Sequence, residues 1–167
     1  MTEIRAPREA DVAALTALRN DARTQYSLLA YPRTNTPDDV RDWLERRGAD
    51  PNALFWVIAG EHDEAVGIAQ IIGIDERGRH GMFGIAIDAR HRGQGHGREA
   101  MLQVLEVARA DGRLDKLVLH VASDNAIACE LYRSLGFRDV GVHRHHYKAP
   151  DGWHDVAIME RFLKHDR

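Results

Sequence analysis

The sequence predicts an α/β (α+β) fold: a mixed, mostly antiparallel sheet of six to seven strands with about four helices. Three observations predict it. Apolar segments separated by polar turns run from Leu54 to Ile87, the pattern of an antiparallel meander. A glycine-rich stretch then leads into a helix with apolar residues at Ala100, Met101, Val104, Leu105 and Ala108, and the apolar run Lys116 to Val121 follows it. A strand that returns across a helix lies parallel to the strand it left. A second helical stripe and a closing pair of strand-like runs around the turn Ala149-Pro150-Asp151-Gly152 complete the sheet.

Taken in order, Ile4 to Pro7 reads as a first strand, and Glu9 to Ala22 as a helix with Val12, Leu15 and Leu18 inward. Gln25 to Asn35 has no clean period and reads as a loop covering something. Its Tyr26 and Tyr31 are candidate substrate-binding residues, or else loop aromatics packed on the neighbouring helix. Thr36-Pro37-Asp38-Asp39 starts a helix with an N-cap hydroxyl, proline at the first position and acids in the first turn. Val40, Trp43, Leu44 and Arg47 mark its inner face, and Gly48 its end. Strands follow at Leu54 to Ala59, Ala65 to Ile74 and Met82 to Ile87, with turns at Gly60 to Glu64 and Asp75 to Gly78. The next helix spans Gly97 to Ala110. Another, capped by Ser123 or Asp124, carries the stripe Ala128, Leu131, Tyr132 and Leu135 and stops at Gly136. The last two strands lie near Phe137 to Tyr147 and His154 to Phe162.

Length and composition bound the function. A chain of 167 residues without repeats or a Pro/Ser-rich linker reads as one domain, 1–167. With 44% apolar and 29% charged residues of both signs, it has the make-up of a soluble globular protein. The formal charge of −3 gives no basic field, so nucleic acid is not an expected partner. Cys129 is the single cysteine, which excludes an intrachain disulfide. Neither a signal peptide nor a run long enough to span a bilayer is visible, so the expectation is a cytoplasmic protein without membrane partners.

Arg92-Gly93-Gln94-Gly95-His96-Gly97, followed by Arg98, sits where a strand becomes a helix. The first-turn N–H groups of a helix lack internal partners and its dipole favours anions, so residues without Cβ let a diphosphate approach. A turn that merely caps the helix is the alternative. The spacing fits neither the dinucleotide fingerprint G-x-G-x-x-G nor the P-loop, which needs a Lys-Ser or Lys-Thr pair. Arg92-x-x-Gly95-x-Gly97 instead resembles the R/Q-x-x-G-x-G/A motif of the GNAT superfamily of N-acetyltransferases. Asn125 to Phe137 is similar to that family's N-x-x-A-x-x-L-Y-x-x-x-G-F pattern, in the right order and on the right elements.

The resemblance implies a GNAT fold and transfer of an acetyl group from acetyl-CoA directly to a primary amine. It places the diphosphate on the backbone of Arg92 to Arg98. The pantetheine arm would lie between splayed strands, at the backbone groups of Ile85, Ala86 and Ile87, with Asn125 hydrogen-bonding it. Tyr132 would protonate the departing thiolate, although its place on an apolar stripe also suits a core tyrosine. An incoming ammonium must lose a proton, and His120, interrupting an apolar strand at the cleft, is the candidate base. It stands where some members acting on protein N-termini carry a glutamate; a packing role, as in the spermidine branch, is the alternative.

His143, His145, His146 and His154 gather at the closing turn, but no Cys, Asp or Glu completes a ligand set, so no metal is expected. Direct transfer leaves no role for Cys129 beyond helix packing. The tail from Gly136 to Met159 resembles the branch of polyamine, ribosomal-protein N-terminal and amino-sugar acetyltransferases. That points to a polyamine, amino sugar, amino acid or protein N-terminus as acceptor, and to a homodimer using the hairpin aromatics Tyr147 and Trp153. A non-catalytic acyl-CoA sensor or regulatory domain is the alternative function.

Overall fold

The computed structural model describes residues 1–164. The last three positions of the span expected to form one domain, 165–167, lie outside the described residues. Strands β1 (Glu3–Arg5), β2 (Leu54–Ala59), β3 (Ala65–Asp75), β4 (His80–Ile87), β5 (Lys116–Ala122), β6 (Arg138–Ala149) and β7 (Gly152–Phe162) form one sheet in the order β1-β2-β3-β4-β5-β7-β6. Every neighbouring pair is antiparallel except β4 and β5, which are parallel across the crossover helix. The mixed, mostly antiparallel sheet is the one expected.

The described residues include five α-helices: α1 (Val12–Asn20), α2 (Ala22–Ser27), α3 (Pro37–Ala49), α4 (His96–Ala110) and α5 (Ala126–Ser134). The extra one arises because the helix expected over Glu9 to Ala22 is broken. Glu9–Asp11 is a single 3-10 turn, and Asp21 is extended, with ψ 127°, and caps α2 by accepting from the Thr24 N–H at 2.9 Å. An aspartate that captures an orphan N–H starts a new helix more readily than it continues an old one. Gln25, Tyr26 and Ser27, read as loop, therefore belong to α2.

Thr36 and Asp39 form the reciprocal capping box of α3, whose helical span runs one residue past Gly48 to Ala49. The cap of α5 is Asn125 rather than Ser123 or Asp124; its Oδ1 accepts from the Ala128 N–H at 3.3 Å. Gly136, at φ 85°, turns the chain out of α5.

Strand alternation distributes the core over both faces of the sheet. Ile71, Phe83, Leu119 and Met159 pack with Met101 and Leu105 of α4 and Tyr132 of α5 on one face. Val57, Ile68 and Ala86 pack with Leu15 of α1 and Val40 and Trp43 of α3 on the other. Tyr147, expected at a partner surface, is buried instead, and its hydroxyl donates to the Ala30 carbonyl at 2.8 Å. Trp153 is 56% exposed. No helix among the described residues is long and apolar enough to cross a membrane.

Candidate active site

The site begins where two strands part. β4 and β5 pair at His80–Lys116, Gly81–Leu117 and Met82–Val118 and no further. Beyond that point Leu119–Ala122 pair with β7, and Phe83–Ile87 pair with β3 alone. The inner edge of β4 is thus left open, and alternation fixes which groups it offers. The Asp88 N–H bonds the Val66 carbonyl at 2.8 Å, and the Ala86 carbonyl lies against Gly67 of β3. Ala86 therefore turns its backbone toward β3, whereas Ile85 and Ile87 face the opening. Of the three residues expected to meet the pantetheine arm, Ala86 is on the wrong edge, and the Ile87 carbonyl is already taken by Arg92 Nε at 2.9 Å.

The glycine stretch lies at the end of β4. Gly93 and Gly95 have φ of 74° and 89°, a region costly for residues with a Cβ, and Gly95 is the N-cap of α4. The first helical bond of α4 runs from the Glu99 N–H to the Gly95 carbonyl at 3.1 Å, so the N–H groups of His96, Gly97 and Arg98 precede the ladder. The side chains here turn elsewhere. His96 Nδ1 meets Thr2 Oγ1 at 2.9 Å, Gln94 Nε2 donates to the Arg90 carbonyl at 3.2 Å, and Arg98 Nη1 donates to Ser134 Oγ at 3.0 Å. Arg92 Nε donates to the Ile87 carbonyl, while its Nη2, without a hydrogen-bond partner, approaches Asp21 at 3.5 Å. The cradle offers an anion backbone amides and the helix dipole.

A cavity of about 150 Å³ opens at the parting strands, lined by Ser27, Leu28, Leu29, Gln70, Ile72, Met82, Phe83, Gly84, Ile85, His120 and Tyr132. It brings together the two residues singled out for proton transfer. Tyr132 enters from the α5 face, 7% exposed, edge-on to Phe83 with ring centroids 6.5 Å apart. Burial pushes its phenol pKa well up, so it is protonated. His120 enters from the opposite face of the sheet, half-buried. Burial first, then His143 and His146, lower its pKa below the ordinary imidazole value.

Other expected residues lie elsewhere. Tyr31 is 77% exposed and does not line the cavity. Tyr26 is tied through its hydroxyl to Asp124 and packs edge-on against His154. The loop's contribution is instead its leucine pair. His154 sits between Asp124 at 2.9 Å and Asp151 at 2.8 Å, and these raise its pKa, Asp151 the more. His143 stacks on His146 with centroids 4.5 Å apart, and the His145 N–H donates to Asp155 at 2.8 Å. Among the described residues no group of three or more His, Cys, Asp or Glu is placed to hold a metal ion. Cys129 is buried in α5 against the sheet, and burial raises its thiol pKa. Sequence reasoning missed Gln70, Ile72, Met82 and Gly84. They sit on one face of ordinary apolar strands, and only the register across β3 and β4 gathers them.

Comparison with known proteins accords with this geometry. Residues 2–138 match the family described as the acetyltransferase (GNAT) domain. The [Ribosomal protein bS18]-alanine N-acetyltransferase of Escherichia coli K12 is 36% identical over 78 residues, 47% of this chain and 52% of that protein. The match thus spans only about half the length of that relative. The N-alpha-acetyltransferase RimI of Mycobacterium tuberculosis is 32% identical over 122 residues, 66% of this chain and 73% of that one. A crystal structure of spermidine N-acetyltransferase from Vibrio cholerae, solved with CoA and spermine, superposes with a TM-score of 0.89 at 23% identity, covering 97% of this chain and 95% of that one. The parted parallel strands, the left-handed glycines at the head of α4 and the family match over most of the sequence lead to one assignment: the chain belongs to the GNAT acetyltransferase family.

Proposed function

We propose that the chain is one domain that transfers the acetyl group of acetyl-CoA directly to a primary amine. The observation that carries this is the cavity at the β4–β5 parting, which has a protonated phenol on one face of the sheet and a neutral imidazole on the other. The residues present fit the donor. Its diphosphate suits the unpaired amides from His96 to Arg98, its arm suits the open edge at Ile85, and Asn125 keeps its amide NH₂ for that arm while Oδ1 caps α5. In the reaction the amine nitrogen bonds the thioester carbonyl carbon and the C–S bond breaks. The amine proton passes to His120, and the thiolate takes the Tyr132 proton. The phenol is then restored from solvent, giving an amide and free CoA thiol.

The acceptor belongs to the amines handled by the family, with a polyamine, an amino sugar, an amino acid and a protein N-terminus as the classes to be tested. A panel of these, scored for release of free CoA thiol, is the experiment. Turnover of one class supports the reading. Tight CoA binding without turnover of any amine would replace it by an acyl-CoA sensor. We also read the protein as a cytoplasmic homodimer, with the exposed Trp153, Val140 and Val142 near the outer edge of the sheet as its contact. One relative, the spermidine N-acetyltransferase of Vibrio cholerae, is known as a dodecamer. Light scattering giving a monomer at micromolar concentration would remove the dimer.

A further inference from the structure

We propose that Gln70 positions the acceptor amine, its side-chain Oε1 accepting one amine N–H while His120 receives the other. The inference rests on the acetyltransferase reading above. Gln70 of β3 stands in register opposite Gly84 of β4. A Cβ on Gly84 would come within 3.4 Å of Gln70 Nε2 and 3.8 Å of Leu28 Cδ2. The Gln70 amide thus lies in van der Waals reach of the Gly84 position, beside Leu28. Oε1 is buried, has no hydrogen-bond partner, and belongs to a side chain lining the cavity that holds His120 and Tyr132. Buried carbonyl oxygens are ordinarily paired, and a half-turn of the amide, which exchanges Oε1 with the Nε2 that lies beside Gly84, would bring this unpaired oxygen to the cavity to meet a donor. By strand alternation Gln70, Ile72, Met82, Gly84 and His120 share the face opposite α5, so a donor arriving there meets the thioester from the side away from Tyr132.

The chemistry of an amide suits this task. An attacking amine must be neutral, with its lone pair on the carbonyl carbon and its N–H bonds held elsewhere. A carboxylate beside it would favour the ammonium form, which has no lone pair. An amide oxygen accepts the N–H without stabilising that cation. No Asp or Glu is among the cavity's lining residues, so the reacting end of the acceptor is bound as a neutral amine between aliphatic walls.

The test is steady-state kinetics on Gln70→Leu and Gln70→Glu with the best amine of the panel, alongside calorimetry for CoA and thermal melting. Gln70→Leu removes the acceptor and the unpaired oxygen together. It should fold at least as stably, keep CoA affinity, and lose roughly tenfold or more in kcat/KM for the amine. Gln70→Glu keeps the shape, so it serves if the leucine variant fails to fold. Its kcat should fall near pH 7 and recover at higher pH, because the carboxylate raises the bound amine's pKa. A Gln70→Leu rate within twofold of the parent, or a Gln70→Glu pH profile unmoved, overturns the role of Gln70 while leaving the acetyltransferase intact. A parent protein that binds CoA but acetylates no amine overturns both.

Discussion

The two faces of the parted sheet treat their titratable groups by the same means to opposite ends. On the α5 face, burial among Phe83 and Phe137 raises the pKa of Tyr132. On the face beneath α2, partial burial and two neighbouring imidazoles lower that of His120. Desolvation always favours the uncharged form, which for a phenol is the acid and for an imidazole is the base. One apolar cleft thereby favours an uncharged phenol and an uncharged imidazole without a carboxylate. Elsewhere on the sheet His154 is the counter-example: hydrogen bonds to Asp151 and Asp124 raise its pKa rather than lower it.

The sharpest way to break this comparison is to remove the hydroxyl from one face. Tyr132→Phe keeps the ring packing against Phe83 and should lower kcat by about a hundredfold or more with CoA affinity nearly unchanged. An unaltered kcat, where chemistry limits turnover, would make Tyr132 a core residue only. On the other face, His120→Gln should cost roughly tens of fold, since water in the cavity can still relay the proton. Its pH profile is the finer readout. In the parent, kcat/KM should rise with pH through a value below about 6.5, the unperturbed imidazole pKa, and that limb should vanish in the variant. A limb that persists would make the histidine structural.

Smaller effects separate the cradle from the cleft. Gly95→Ala must place a Cβ at φ 89° and should weaken acetyl-CoA binding by roughly tenfold. Gly97→Ala should change it by less than about twofold, because its Cβ would only touch Ile87 and Leu131 at 3.8 Å. Calorimetry that ranks the two the other way would show that conformation is not what the cradle requires. The smallest effect is on stability. The stabilisation linked to His154, whose folded pKa is raised, is present below about pH 6.5 and lost as pH rises through that raised value. That linked to His120, whose folded pKa is lowered, is present above about pH 6.5 and lost as pH falls through the lowered value. Melting curves at pH 5.5 and 8 should therefore shift in opposite senses for His154→Gln and His120→Gln relative to the parent.

Much of this was written locally in the chain. The strands Leu54–Ala59 and Lys116–Ala122, the capping box at Thr36 and Asp39, and the glycines before α4 each follow from residues within a few positions of one another. Local preferences of backbone and cap need no distant partner, so the sequence alone determined most of the elements, their order, the cradle and the place of Tyr132 on a helix near the cleft. It misread α2, because whether Asp21 continues one helix or caps the next depends on competing local bonds of similar strength. The cavity was of another kind. Gln70 and Gly84 are unremarked positions in two apolar strands, and Leu28 belongs to a segment without a period. Only the antiparallel register of β3 on β4, the end of the β4–β5 ladder at Met82–Val118 and the seating of α2 over both bring them around His120. Likewise Tyr147, legible as a partner contact, was claimed by the core. Which side chain a cavity receives, and which partner a charge finds, is decided by contacts between residues far apart in the chain, and these exist only once the sheet has closed.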